Sequence, residues 1–410
     1  MRKIRYTASS LLVITAVLTL QLRAQTVQPR LPAQHPRAQT TAKFTAQTTD
    51  EPYAFGADVS FLPQAEQSGV VFKDNGVAKP GLQVLRDHGY NWIRMRVFVD
   101  PAKASTHLPN DLAYSIALAK RAKALGFKVE VGFHYSDTWA DRFHQLPPAA
   151  WQGQTHQQLV NSVFTYTRDS IAAFAAAGAM PDMLQIGNEP TLGFLWPDGK
   201  LPENWDHFAD LVRAGIRGMD AGRGNSPRPR ILIQLDLGGD WAASRAWWDK
   251  FMTYHIPFDV MAQSYYAHDY HSLMELRENL NNTARIYHKD VIVVETSYTW
   301  KPGRAFPNNT GPFPETPEGQ AAFLEEMNRI VMAVPDNHGK GVFWWEPFWP
   351  RAGQDRGMID ADGNTLPVIK VYDKWTGGEA SRTHTPLATP QLTDPNWKPA
   401  PVKPLAPATP

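Results

Sequence analysis

Two glutamates stand where apolar runs end. Met183-Leu184-Gln185-Ile186 leads into Gly187-Asn188-Glu189-Pro190, and Val291-Ile292-Val293-Val294 leads into Glu295. A strand core that finishes in a carboxylate puts a costly charge beside buried surface, so the charge must have a use. Two such carboxylates fit the cleavage of a glycosidic bond. One protonates the departing oxygen while the other works from the opposite side of the sugar ring. Burial and mutual repulsion would keep the first protonated, and donors around the second would keep it ionised.

Other strand ends are equally polar. Arg94 and Arg96 alternate on one strand face, where a guanidinium is costly unless a carboxylate meets it, and Glu295 is the best partner for one of them. Asp58 closes the first apolar run and would either bind sugar or orient an arginine. His134-Tyr135-Ser136-Asp137-Thr138-Trp139 follows another run and offers hydrogen bonds and a stacking face. Tyr265 and Tyr266 follow a further run, where a tyrosine hydroxyl could hold Glu295. Trp344-Trp345-Glu346-Pro347 supplies an indole for the cleft floor and a third carboxylate, Glu346, which competes for a catalytic role. Trp196 and Trp241 would widen an aromatic groove. Asn188 can donate its amide to the hydroxyl beside the anomeric carbon. Each has a plainer use in loop packing or strand-end capping.

The elements needed to position these groups are legible as alternation. Strands are expected at 53–59, 92–99, 128–133, 183–187, 230–235, 258–265, 291–295 and 341–345. Helices are expected between them at 82–88, 112–125, 157–177, 205–219, 244–254, 272–280 and 317–334, with a short one at 366–375. Asn110 or Asp111 can cap the second helix and Gly126 end it. Eight strand–helix pairs imply an α/β fold, a closed (β/α)8 TIM barrel in a single catalytic domain, whose sites lie at the C-terminal strand ends. Glu189 and Glu295 then rise from the fourth and seventh strands.

Composition narrows the function. At 410 residues and 43% hydrophobic, the chain can bury one large core, and a net charge of +1 gives no broad case for nucleic acid or anionic membrane. The absence of cysteine excludes thiolate chemistry and cysteine-ligated zinc. No Gly-x-Gly-x-x-Gly, P-loop, His-Glu-x-x-His or Gly-x-Ser-x-Gly motif is present, so nucleotide, zinc-protease and serine-hydrolase readings have little to stand on.

Residues 1–24 read as a signal peptide: Arg2, Lys3 and Arg5, then an apolar segment from Ser10 to Leu20 too short to span a bilayer, then Leu22-Arg23-Ala24. A secreted or periplasmic protein without a transmembrane segment after signal removal is expected. Residues 25–50 form a Gln/Thr/Pro linker and 377–410 a Pro-rich tail, both expected to be disordered. The catalytic domain is expected at 51–376.

Seven segments together resemble glycoside hydrolase family 53, the arabinogalactan endo-β-1,4-galactanases. They are Gly56-Ala57-Asp58-Val59-Ser60, Ile93-Arg94-Met95-Arg96-Val97, Ser136-Asp137-Thr138-Trp139-Ala140-Asp141, Gly187-Asn188-Glu189 with Leu195-Trp196-Pro197, Ser264-Tyr265-Tyr266, Val293-Val294-Glu295-Thr296 and Trp345-Glu346-Pro347. The resemblance implies retaining hydrolysis of β-1,4-galactan in the arabinogalactan side chains of pectin. It puts Glu189 at the acid/base, Glu295 at the nucleophile, and Arg94, Asn188 and Tyr265 at supporting positions. Asp58, His134, Asp137, Trp139 and Trp345 fall at cleft positions, with Trp196 a further platform; Glu346 falls outside the catalytic pair. A carboxyl separation of about 5 to 5.5 Å is expected for retention.

The sequence departs from the family pattern at Pro190, at Leu237 and in the run Tyr266-Ala267-His268-Asp269, which bears on fine specificity. No cofactor is expected. The calcium loop of bacterial members is Asp-rich, whereas 301–311 here is basic and rich in Pro and Asn, so a structural calcium is not supported. The rivals are a retaining glycanase of the same fold acting on mannan or glucan, and a non-catalytic carbohydrate-binding barrel.

Overall fold

The computed structural model describes residues 52–106, 108–269, 272–302, 311–348 and 355–376. The expected signal, linker and tail, and most of the 301–311 loop, lie outside them.

Eight parallel strands close on themselves. In chain order they are β1 (Ala54–Asp58), β2 (Trp92–Val97), β3 (Lys128–Phe133), β4 (Met183–Ile186), β5 (Arg230–Leu235), β6 (Val260–Ser264), β7 (Asp290–Thr296) and β8 (Gly339–Trp345). Each pairs with its sequence neighbours, and β8 returns to β1 with Ala54 opposite Gly341 and Asp58 opposite Trp345. The connecting helices are α1 (Gly81–Asp87), α2 (Leu112–Ala124), α3 (His156–Ala176), α4 (Trp205–Gly222), α5 (Trp241–Met252), α6 (Leu273–Tyr287) and α7 (Pro317–Met332). A (β/α)8 barrel is what the alternation required. Strand limits move by only a few residues from the expected ones, whereas α6 runs seven residues past the expected Leu280.

The helix starts follow local chemistry. Asp111 caps α2 by accepting the Tyr114 amide, and Thr155 and Ser272 form capping boxes with Gln158 and Glu275. Pro317 fits the first turn of α7, where its missing N–H costs nothing.

Strand residues divide by parity between two cores. Ala54, Trp92, Met183, Leu232, Val260, Ala262, Ile292, Val294 and Phe343 fill the barrel interior. Their alternates, among them Ile93, Val131, Leu184, Ile233, Met261, Val293 and Val342, pack in the larger core with helix residues such as Leu118, Phe174 and Phe323. Going up from the interior core by steps of two therefore gives the groups that face the barrel mouth: Asp58 on β1, Arg94 and Arg96 on β2, Gln185 on β4, Gln234 on β5, Ser264 on β6.

Candidate active site

β7 breaks this parity. Ile292 and Val294 point inward, so regular alternation would send Glu295 out among the helices. Instead the register slips: Gln263 pairs with Val293 and the next residue, Ser264, with Glu295, while on the other side Val293 and Thr296 pair with Val342 and Trp344. This irregularity turns Glu295 toward the barrel mouth. β4 reaches the same end differently. Gly187 at φ 76° and Glu189 at φ 46°, ψ 52° form a left-handed turn after the strand. Such a φ is uncommon for a residue with a Cβ, and neighbouring groups hold it. Gln145 Nε2 donates to Asn188 O at 2.7 Å and Glu189 O at 3.3 Å.

Arg94 is the hub beneath the two glutamates. Its Nη1 lies 2.7 Å from both Asp58 Oδ2 and Glu295 Oε1, and its Nε 3.0 Å from Glu130 Oε2. Nη2 donates to Gln185, Asn188 and Gln234 at 3.1, 3.1 and 3.3 Å. Burial opposes its charge, but Glu295, Glu130 and Asp58 hold its pKa above the usual guanidinium value. Arg96 Nη2 bonds Glu346 Oε1 at 2.6 Å and Asp58 Oδ1 at 3.0 Å.

The glutamates have unlike surroundings. Burial, then the charges of Glu295 and Asp236, push the Glu189 carboxyl well above the usual carboxylate range. A donor in line with it, Ser264 Oγ at 2.5 Å from Oε1, works the other way. Glu295 instead meets the Arg94 guanidinium and the Tyr266 hydroxyl, which donates to Oε2 at 3.1 Å. A carboxyl kept protonated opposite one in an ion pair can protonate a leaving oxygen while the other attacks an acetal carbon.

The structure brings Glu189, Glu295, Arg94 and Asn188 into one cluster and corrects three of the expected assignments. Tyr265 does not face Glu295. It has the outward parity of Met261 and packs in the helix-side core, while Tyr266, in step with Val260, Ala262 and Ser264, supplies the hydroxyl. Asp58 does not line the cleft. It is fully buried, and both oxygens are taken up by Arg94, Arg96 and Ser60. Asp137 is turned to the backbone, accepting the amides of Asp100 at 3.0 Å and Ala149 at 2.8 Å.

His134 Nδ1 accepts the Ala140 amide at 3.1 Å, which places the proton on Nε2. Burial, with Arg96 and Arg94 nearby, holds its pKa well below the ordinary histidine value. Asn188 gives one N–H to Ala140 O at 2.8 Å, leaving its second N–H for a ligand. Trp139 and Trp345, both half-buried, have ring centroids 6.3 Å apart, and the Arg96 guanidinium sits over both rings. Trp196 stands on a separate two-stranded ribbon, Gly193–Phe194 with Gly199–Lys200, its indole donating to Leu192 O at 2.8 Å. Glu346 takes Arg96 and the Phe61 amide, and so serves as an anchor.

Two residues lie outside the motifs, Glu130 and Gln234, and Ser264 lies inside one without a role assigned to it. Each interrupts or ends an apolar strand at an inward position, which is the signal that identifies them. Burial, against the pull of Arg94, raises the Glu130 carboxyl to about 8. Gln234 Nε2 donates to Ser264 Oγ at 2.7 Å, so a chain of contacts runs from Glu189 through Ser264, Gln234 and Arg94 to Glu295.

Comparison with known proteins agrees with this architecture. An arabinogalactan endo-β-1,4-galactanase of Thermothelomyces thermophilus is 36% identical over 335 residues, which cover 78% of this chain and 98% of the relative. An uncharacterised protein of Niallia circulans is 35% identical over 73% of this chain and 85% of its own. A fungal β-1,4-galactanase structure superposes with a TM-score of 0.71 at 35% identity, covering 78% of this chain and 98% of that one. The family 53 catalytic domain of Ignisphaera aggregans gives 0.73 at 30%, over 80% and 97%. The model of glycosyl hydrolase family 53 matches residues 54–381, and the chain belongs to that family.

Proposed function

We propose that the protein hydrolyses internal β-1,4-galactosidic bonds of galactan, the side chain of pectic arabinogalactan, with retention of configuration. The observation that carries the mechanism is the contrast between Glu189, raised by burial and by Glu295, and Glu295, paired with Arg94 and Tyr266. Glu295 attacks the anomeric carbon as Glu189 passes its proton to the leaving oxygen. Glu189 then takes a proton from water, and the incoming oxygen displaces Glu295 to give a β-configured product. Asn188 offers its remaining N–H to the neighbouring hydroxyl. Trp139, Trp345 and Trp196 supply faces for pyranose rings, and His134 Nε2–H a donor. The relatives named as galactanases support the substrate. The basic, apolar and small-residue sequence of 1–24 supports export, where such a polymer is met.

The test is digestion of purified β-1,4-galactan, mannan and glucan with product anomers followed by NMR. Galactan should be preferred, short oligosaccharides should appear early, and the β-anomer should form first. Glu189→Gln and Glu295→Gln should each lower kcat by about 10²–10⁴-fold or more. An α-anomer appearing first, or full activity of Glu295→Gln, would overturn the mechanism; preference for mannan or glucan would overturn the substrate.

A further inference from the structure

Outside the cleft, two histidines from different helices converge on one carboxylate. His156 is the first residue of α3, His207 lies in the first turn of α4, and Asp198 sits in the turn of the ribbon that carries Trp196. His156 Nδ1 is 2.8 Å from Asp198 Oδ2, and His207 Nδ1 is 3.0 Å from Asp198 Oδ1. The imidazoles stack with centroids 3.8 Å apart and planes at 13°. One donor atom from each residue falls within 4.8 Å of the other two.

Two features bear on what the cluster can hold. First, His207 Nδ1 is buried and has no hydrogen-bond partner, although it lies against Asp198; the approach is off-line. A buried ring nitrogen without a partner is unusual, and a cation is one group that satisfies it. Second, His156 has a carboxylate at each nitrogen, Asp198 at Nδ1 and Asp210 Oδ2 at 3.7 Å from Nε2. A neutral ring has one N–H and serves only one of them; an imidazolium serves both by two ordinary ion pairs, so the unpartnered His207 nitrogen is the feature that points to an ion. A metal ion on Nδ1 with the proton on Nε2 serves both, as in carboxylate–histidine–metal arrangements.

We propose that His156, Asp198 and His207 form a binding site for a divalent late transition-metal ion, zinc in the first place. Two imidazoles and one carboxylate suit zinc rather than calcium or magnesium, which prefer oxygen ligands. Donor atoms around a tetrahedral zinc ion with bonds of about 2.0–2.1 Å stand near 3.3 Å apart, so modest rotation of the stacked rings closes the site. The ion ties the Trp196 turn to the first turns of α3 and α4. Its role is structural, because none of the three ligands contacts the glutamate cluster.

The test uses the full chain after chelation and desalting. Zinc chloride is titrated by calorimetry, and thermal unfolding is followed with and without the ion. His207→Asn leaves the His156–Asp198 bond in place, and a His156→Asn/His207→Asn variant removes both imidazoles. The wild type should bind one zinc ion with a Kd of about 10 μM or tighter and unfold at higher temperature in its presence. His207→Asn should weaken that binding at least about tenfold, and the double variant should lose both the binding and the thermal shift. Wild-type binding that does not saturate below about 1 mM, or binding of the same affinity in the double variant, would overturn the site.

Discussion

A single nitrogen, Arg94 Nη1, lies 2.7 Å from Glu295 Oε1 and 2.7 Å from Asp58 Oδ2. Asp58 is sealed from solvent, so the arginine is held from behind by a buried carboxylate, and it presents the same nitrogen to the carboxylate proposed as the nucleophile. Burial works against the Asp58 charge, but Arg96 and Arg94 outweigh it and keep its pKa below the usual value.

Asp58→Asn should therefore act through Arg94 and Arg96. Removing one partner from a buried ion-pair cluster costs about 3–5 kcal/mol. The variant should lose that stability in urea unfolding at pH 7, and kcat should fall more than KM rises. The depressed pKa sets the sign of the pH dependence: Asp58 stabilises the fold above its unfolded value of 3.8, and this contribution disappears as pH falls through the lower folded value. In the variant, the loss of stability on acidification below about pH 4 should be shallower.

Glu130 gives the opposite sign. Its folded value of about 8 lies above the reference of 4.5, so the folded state retains a proton that the unfolded state has released. Its favourable contribution is complete below pH 4.5 and is lost as pH rises to about 8. Glu130→Gln removes that slope, which is about 1.4 kcal/mol per pH unit for one proton. Unfolding free energies measured at pH 6 and pH 9 should show the variant gaining on the wild type as pH rises.

Ser264→Ala removes the donor that favours the charged form of Glu189. The Glu189 pKa should rise further, and the alkaline limb of the kcat/KM profile should move to higher pH. Activity at the optimum should also fall, by about tenfold, since the carboxyl loses an orienting hydrogen bond, and such bonds contribute about 1–2 kcal/mol. An unmoved alkaline limb would mean that another group titrates there.

Gln145→Ala leaves the Asn188 carbonyl without its donor and takes the longer of two from the Glu189 carbonyl, which keeps the Thr191 amide at 2.8 Å. Unsatisfied buried polar groups cost about 1–3 kcal/mol, here at a left-handed turn that depends on outside support. A lower thermal midpoint and a reduced kcat, with KM for oligosaccharide little changed, are expected from unfolding scans and steady-state kinetics.

The exchange of Tyr265 for Tyr266 shows how far the sequence is legible. Strand β6 is readable from its apolar residues, and counting by twos from Val260 reaches Ser264 and Tyr266 without a break. Glu295 behaves differently. The same counting from Ile292 through Val294 predicts the wrong face, and only the register slip in β7 brings it to the mouth. A bulge depends on how two neighbouring strands align, and that alignment is a tertiary fact. Asp58, open in the sequence between sugar and arginine and found on arginine, and Asp137 are ambiguous for another reason. A carboxylate at a strand end has the same sequence signature whether it meets a ligand, an arginine or a pair of backbone amides. Glu130 and Gln234 were the reverse case, polar residues inside strands whose inward parity could have flagged them.

The contacts from Ser264 through Gln234 to Arg94 connect the surroundings of Glu189 with those of Glu295. In the proposed first step Glu295 gives up its negative charge to the new bond as Glu189 acquires one. The total is unchanged; only its position moves across the sugar. Donors already stand at both ends of that displacement, so neither solvent nor a counter-ion has to follow it. Turnover should consequently be insensitive to ionic strength, even though the protein places four acidic side chains, Asp58, Glu130, Glu295 and Glu346, around two arginines.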